Sequence, residues 1–235
     1  MTTSRTLGQE FLALYTTMEE FLSKQAGPNP PDSWSAMVEE VSPRNTTVKR
    51  YAYSLKAFGR LRNAILHNPR YPDRFIAEPL ADAVEEFRQI SNIVISPPRL
   101  GDEPNLELQP FKRSCSLKKA LEHMGENEFS QIIVRDEDGL GLITSEDIAR
   151  WLENQIEGTD ILVLDARLED LRPYELPGSF QVMGVTKTLF DAEAAFHRPP
   201  RSDESRLFAI IVTNNGKRTG KPVRIVTPWD VLALD

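Results

Sequence analysis

Cysteine is almost missing from this chain: Cys115 is the only one in 235 residues. A single cysteine excludes an internal disulfide, and a chain without disulfides suits a reducing cytoplasm. Histidine is nearly as scarce. His67, His123 and His197 are the only three, and no two stand at ligand spacing, so no metal site and no obligatory cofactor are expected. Long apolar runs are also missing. None approaches the roughly 20 residues of a membrane helix, so no membrane span is expected. The first residues, Met1-Thr2-Thr3-Ser4-Arg5, are not followed by the apolar stretch of a secretory signal. What is present is an ordinary globular composition, 40% hydrophobic and 27% charged. The length fits two ordinary domains better than one large one.

The net charge of −7 is unevenly spread. Between Arg44 and Arg74 stand Arg44, Lys49, Arg50, Lys56, Arg60, Arg62, Arg70 and Arg74, opposed by Asp73 alone. Such an island in an acidic chain fits an anionic partner such as RNA, through segment 44–74. On charge alone the better fit is a solvated helix face salt-bridged to acidic neighbours.

Residues 1–96 read as a helical bundle. Phe11, Leu14, Tyr15, Met18, Phe21 and Leu22 fall at helical spacing, and the helix should stop before Gly27-Pro28-Asn29-Pro30-Pro31. Asp32 or Ser33 can cap a short helix over Trp34–Val41. A single long helix is expected from Asn45, Thr46 or Thr47 to His67, ended by Asn68-Pro69. Pro79 is expected in the first turn of a fourth helix that ends before Pro97-Pro98. Residues 97–110, rich in proline and charge, read as a linker.

From 111 onward the pattern becomes α/β. Helix, strand, strand, helix occurs over residues 111–158 and again over 159–235, so the chain is expected to be α+β with two domains, the second holding an internal repeat. The expected strands are Gln131–Val134, Leu140–Ile143, Phe180–Val185, Leu207–Val212 and Val223–Val226. The strand before Ser116 is poorly marked. The second copy has a longer turn at 214–220 and an insertion at 197–205. Trp151 and Trp229 are expected to pack on the sheets. His123 and His197 read as structural or exposed, and Cys115 as a small packing residue.

Each repeat closes on a strand that runs into Thr-x-x-Asp: Thr144 with Asp147, and Thr227 with Asp230. This is the sequence of a capping box or its close relative. It also suits a nucleotide. A helix N-terminus favours phosphate, and a Thr hydroxyl and an Asp carboxylate can hold ribose hydroxyls. Residues 129–152 resemble the second half of a CBS domain, and 116–124 resemble the helix that precedes it. The second copy, 180–235, is more divergent. The resemblance implies a tandem CBS pair binding AMP, ADP or ATP as a regulatory ligand. Thr144 and Asp147 would serve one cleft and Thr227 and Asp230 the other. Ile132, Ile133, Ile210 and Ile211 would wall the base.

A second motif, Arg62-Asn63-Ala64-Ile65-Leu66-His67, closes the third helix. A histidine can move a proton near neutral pH, and an arginine can hold two phosphate oxygens, as metal-free RNA cleavage requires. On an ideal helix Arg62 falls within the apolar stripe of Tyr51, Leu55, Phe58, Ile65 and Leu66, and about 140° from His67. A cation in that stripe needs an ion pair, for example with Glu85 or Glu86, or a wet interface. The motif and its helical context resemble the HEPN superfamily. The resemblance implies Arg62 and His67 as an active pair, Asn63 as a supporting polar group, and a homodimer that completes the site. Two functions follow. One is an adenine-nucleotide sensor that regulates an attached metal-independent endoribonuclease. The other is a noncatalytic nucleotide-binding regulator whose helical domain binds protein or RNA.

Overall fold

The computed structural model describes residues 6–66, 77–102, 108–157, 160–161 and 165–232. The fold mixes helices with short sheets and divides into two compact units, Met1–Pro98 and Arg99–Asp235. His67, Arg70 and Arg74 lie outside the described residues.

The first unit is helical. Helix α1 (Leu7–Ala26) starts at a capping box in which Thr6 and Gln9 satisfy each other's backbone N–H. Ser33 caps α2 (Trp34–Val41). The expected long third helix is instead two pieces, α3 (Thr46–Arg50), capped by Asn45, and α4 (Ala52–Leu66). Tyr51, at φ −93° and ψ 11°, leaves the helical well between them. Helix α5 (Ala81–Ile95) begins after Leu80, so Pro79 precedes the helix rather than lying in its first turn. Phe11, Phe58 and Phe87 form an aromatic cluster inside the bundle. Beside it Tyr15 stacks on Trp34 at 4.1 Å, and Trp34 Nε1 donates to the Leu55 carbonyl at 2.6 Å. A Cβ on Gly59 would lie 2.4 Å from the Trp34 ring, so this contact requires glycine there.

The second unit repeats one pattern. In the first copy β1 (Phe111–Lys112) runs parallel to β2 (Gln131–Asp136), which pairs antiparallel with β3 (Gly139–Thr144). Helix α6 (Leu117–Glu126) joins β1 to β2, and α7 (Ser145–Glu153) follows β3. A two-strand ladder, β4 (Ile156–Glu157) and β5 (Asp160–Ile161), comes next. In the second copy β6 (Phe180–Gly184), α8 (Leu189–Phe196), β7 (Ala209–Thr213), β8 (Pro222–Val226) and α9 (Pro228–Leu232) repeat the order and the pairing senses.

Within the expected linker, residues 99–102 make defined contacts. Arg99-Leu100-Gly101-Asp102 is matched by Arg167-Leu168-Glu169-Asp170, and each segment docks on the other copy. Arg99 bridges Thr188, the cap of α8, while Arg167 bridges Ser116, the cap of α6. Leu100 N–H donates to Lys187 O, and Leu168 N–H to Cys115 O. Within each segment the Asp accepts from the Arg backbone N–H, at 2.7 and 2.8 Å. Leu100 is buried in the core of the second copy, and Leu168 and Leu171 in that of the first. Each such leucine contributes about 1.5–3 kcal/mol by burial. A third cluster, including Ile133, Leu142, Ala209 and Ile211, joins the two sheets.

The long turn at 214–220 clasps the first copy. Leu140 N–H donates to Arg218 O at 2.8 Å, and Arg218 Nε returns a bond to Leu140 O at 2.9 Å. Gly139, at φ +116°, is needed here, because a Cβ would lie 2.7 Å from the Arg218 carbonyl.

Buried Arg113 bonds Asp136 with two nitrogens and Glu175 with two, and Arg172 adds a bond to Asp136. Burial alone would raise the Asp136 pKa. The hydrogen bond and charge of Arg113, with the charges of Arg172 and Arg218, outweigh it and hold the carboxyl below its usual range. A depressed folded pKa gives stability that is full above the unfolded value, near ~4, and lost as pH falls through the folded value. Urea midpoints should therefore fall on acidification below about pH 4, and less so in Asp136→Asn. Arg113→Ala strands two carboxylates and should cost about 3–5 kcal/mol in the same measurement.

Candidate functional site

Strand pairing matches the two copies position by position. Phe111 faces Val134 as Met183 faces Val212, and Thr144 faces Gln131 as Thr227 follows Val226, the partner of Ile210. The two Thr-x-x-Asp pairs are thus structural equivalents, but their surroundings differ.

Thr144 and Asp147 are buried, Asp147 with no exposure at all. Asp147 Oδ2 accepts from Thr144 N at 2.8 Å and from Thr144 Oγ1 at 2.7 Å, and the Thr144 hydroxyl accepts from Asp147 N. Asp147 Oδ1 accepts from Leu176 N at 3.2 Å, which ties the pair to the segment leading into the second copy. Both carboxylate oxygens are engaged, and the pair acts as a reciprocal cap of α7.

Thr227 and Asp230 repeat the cap at the surface. Thr227 N and Oγ1 each donate to Asp230 Oδ2 at 2.7 Å. Asp230 Oδ1 lies 3.8 Å from Arg224 Nη2, and its side chain is 35% exposed. This carboxylate can take further donors. Beside it Trp229 is 81% exposed rather than packed on the sheet, whereas Trp151 is in the core as expected.

Ile132 and Ile133 border a cleft of about 420 Å³. Leu108, Gln109 and Phe111 line it at the start of the first copy, His123 and Phe129 at the end of α6, and Gln131 at the head of β2. Ile225 of β8 closes it from the second copy, two residues before Thr227. His123 sits between Phe111 and Phe129, edge-on to each at 5.2 and 5.8 Å. This volume lies in the ~300–1,000 Å³ range of small-molecule sites, and the mixture of apolar walls with a few amides is typical of them.

Ile210 and Ile211 border neither this cleft nor the 630 Å³ groove along β6. They stand on the central strand β7, whose two faces are covered by separate hydrophobic clusters, and both are fully buried. A larger and more open groove, about 630 Å³, runs along β6 past Lys187, Arg198 and Asn215. No residue singled out from the sequence as a ligand contact lines it.

Sequence reasoning missed Phe111, His123, Phe129 and Ile225 as cleft residues. A readable signal was the aromatic pair flanking α6, Phe111 and Phe129. Ile225 comes from the other copy and had no local signal. Among the described residues, no group of three or more His, Cys, Asp or Glu is placed to hold a metal ion.

In the helical unit, the Arg62 guanidinium lies 5.5 Å from the centre of the Tyr15 ring and donates to Asn63 Oδ1 at 3.2 Å. This aromatic face accommodates the cation that the apolar stripe would otherwise exclude. Glu85 is bonded to Arg88. Burial, reinforced by Glu19 and opposed by Arg62, pushes the Tyr15 phenol up to about 12. Of the basic island, Arg44 pairs with Glu40 and Lys56 with Glu39. His67 lies outside the described residues, so the Arg62–His67 separation is not placed.

The second unit holds two strand–helix–strand–strand–helix copies with a cleft of small-molecule size lined from both. Residues 104–154 match the family model described as CBS domain. Among solved structures, the chain is similar to CBSX2 in complex with AMP, at 22% identity over 58% of this chain and 95% of that one, TM-score 0.41. A CBS domain-containing protein from Bacillus anthracis gives 19%, 58%, 91% and 0.40, and one from Kribbella flavida gives 18%, 55%, 92% and 0.40. No curated protein matches. Among the described residues, no helix is long and apolar enough to cross a membrane.

The two caps should respond differently to truncation. Asp147→Ala leaves three buried donors without their acceptor and should lower stability by about 2 kcal/mol or more in urea titrations. Asp230→Ala, at the surface, should cost about 1 kcal/mol or less.

Proposed function

We propose that the Arg99–Asp235 unit is a tandem CBS module that binds an adenine nucleotide and thereby regulates the helical unit. The observation that carries this reading is the 420 Å³ cleft. It lies on the segment that matches the CBS family model, is faced by Ile225, and has the accessible Thr227–Asp230 pair two residues further on. The aromatic and aliphatic walls suit a flat base, the Gln109 and Gln131 amides can bond its edge, and Asp230 can take ribose hydroxyls. None of the nine lining residues is Lys or Arg. Each added phosphate therefore brings negative charge without a matching cation in the wall.

Calorimetric titration should give saturable AMP binding, with ATP roughly fivefold or more weaker, about 1 kcal/mol. Thr227→Ala/Asp230→Ala should weaken AMP binding tenfold or more, about 1.4 kcal/mol. Equal affinity for AMP and ATP would remove the charge argument, and absence of any binding would remove the nucleotide reading.

The helical unit is the output. Its reading as a HEPN-like, metal-independent ribonuclease acting as a homodimer is favoured by the Arg62–Asn63 hydrogen bond, which couples two members of the motif. Single-stranded RNA should then be cut in the presence of EDTA. Arg62→Ala and His67→Ala should each slow cleavage by about 100-fold or more without loss of helical circular dichroism. Uncut RNA would leave the helical unit as a noncatalytic partner for RNA or protein.

A further inference from the structure

Two equivalent copies would ordinarily carry two equivalent clefts. Here the copies differ in one connection. From the helix cap to the first residue of the central strand the first copy runs Ser116 to Gln131, 15 residues, and the second runs Thr188 to Ala209, 21 residues. The second connection is six residues longer.

The extra chain lies in the second cleft. Phe180, Gln181, Ala195 and Leu207 stand where Leu108, Gln109, His123 and Phe129 line the first cleft. Together they border a cavity of only about 170 Å³, whose other walls include Arg198, Pro200, Glu204 and Ser205 from the added connection; Gln181, Ala195 and Arg198 also line the larger groove along β6. That connection is fastened. Ser205 N–H donates to Pro177 O at 2.8 Å, and Phe208 N–H to Ser179 O at 2.8 Å. Glu204 packs so closely on Gly178 that a Cβ there would come within 3.0 Å of it. Asp147, whose cleft this would be, is bonded to Leu176 and has no free carboxylate oxygen. Within this cavity Glu204 pairs with Arg198 at 3.5 Å, a contact internal to the added connection.

We propose that the chain binds one nucleotide, in the first cleft alone, because its own segment 198–205 is a fixed plug of the second. This rests on the nucleotide reading above. Titration of the full chain with AMP should give one site per chain. Phe129→Asp, at a half-exposed wall of the first cleft, should abolish all binding. Deletion of 200–205 should add a second, independent site. Two sites in the wild type, or one site surviving in Phe129→Asp, would overturn the plug and leave the nucleotide reading standing. No AMP binding by the wild type would overturn both. A folded deletion protein with a single site would also overturn the plug. If the deletion protein does not fold, the Phe129→Asp titration decides alone.

Discussion

The reciprocal exchange of Arg99–Asp102 and Arg167–Asp170 is the constraint on which the second unit depends. Neither copy closes its own core. The first is completed by Leu168 and Leu171, which precede the second copy in sequence, and the second is completed by Leu100, which precedes the first. Backbone bonds at the helix caps fix the register of each exchanged segment, and the Asp of each segment fixes its local turn. Each copy in isolation would expose a leucine-sized gap at its helix cap. The pair is therefore the folding unit, and the cleft between the sheets is a consequence of that closure rather than an independent feature.

The same closure explains why the departures of the second copy face inward. A longer turn at 214–220 reaches the hairpin of the first copy, and a longer connection at 198–205 fills a cleft. Both additions are local in sequence, and both act on surfaces that exist only once the two copies are joined. Divergence of this kind leaves the sheets and caps intact, because strand pairing and capping are set by residues outside the added loops.

Periodicity revealed most of the helices and strands, since apolar spacing and caps are local. The repeat was legible from the two Thr-x-x-Asp pairs for the same reason. What was not legible depended on distant partners. Leu100 sits in a proline-rich, charged stretch that looks like linker, and its core lies about 85 residues further along the chain, near Thr188. The match between Arg-Leu-Gly-Asp and Arg-Leu-Glu-Asp was visible but had no hydrophobic period to mark it. The break at Tyr51 carries no Gly or Pro to announce it. At the site all four equivalent isoleucines, Ile132, Ile133, Ile210 and Ile211, are buried, and Ile132 and Ile133 also border the 420 Å³ cleft. The motif alone could not tell a buried Asp147 from an exposed Asp230, because both make the same cap.

The exchanged segment also bears on regulation. If 97–110 were a free linker of fourteen residues, a change in the nucleotide cleft would be lost in its slack. Instead α5 ends at Ile95 and the docked segment begins at Arg99, with Ser96, Pro97 and Pro98 between them. Two successive prolines restrict the backbone of such a connection. Leu100 is part of the second copy's core, which also includes Val226 of β8. Ile225, adjacent to Val226, walls the first cleft. A ligand that favours one position of β8 over another would shift that equilibrium by its difference in affinity, and no more. The chain between that core and α5 is short, Ser96 to Arg99, so the covalent connection is one candidate carrier of the proposed signal.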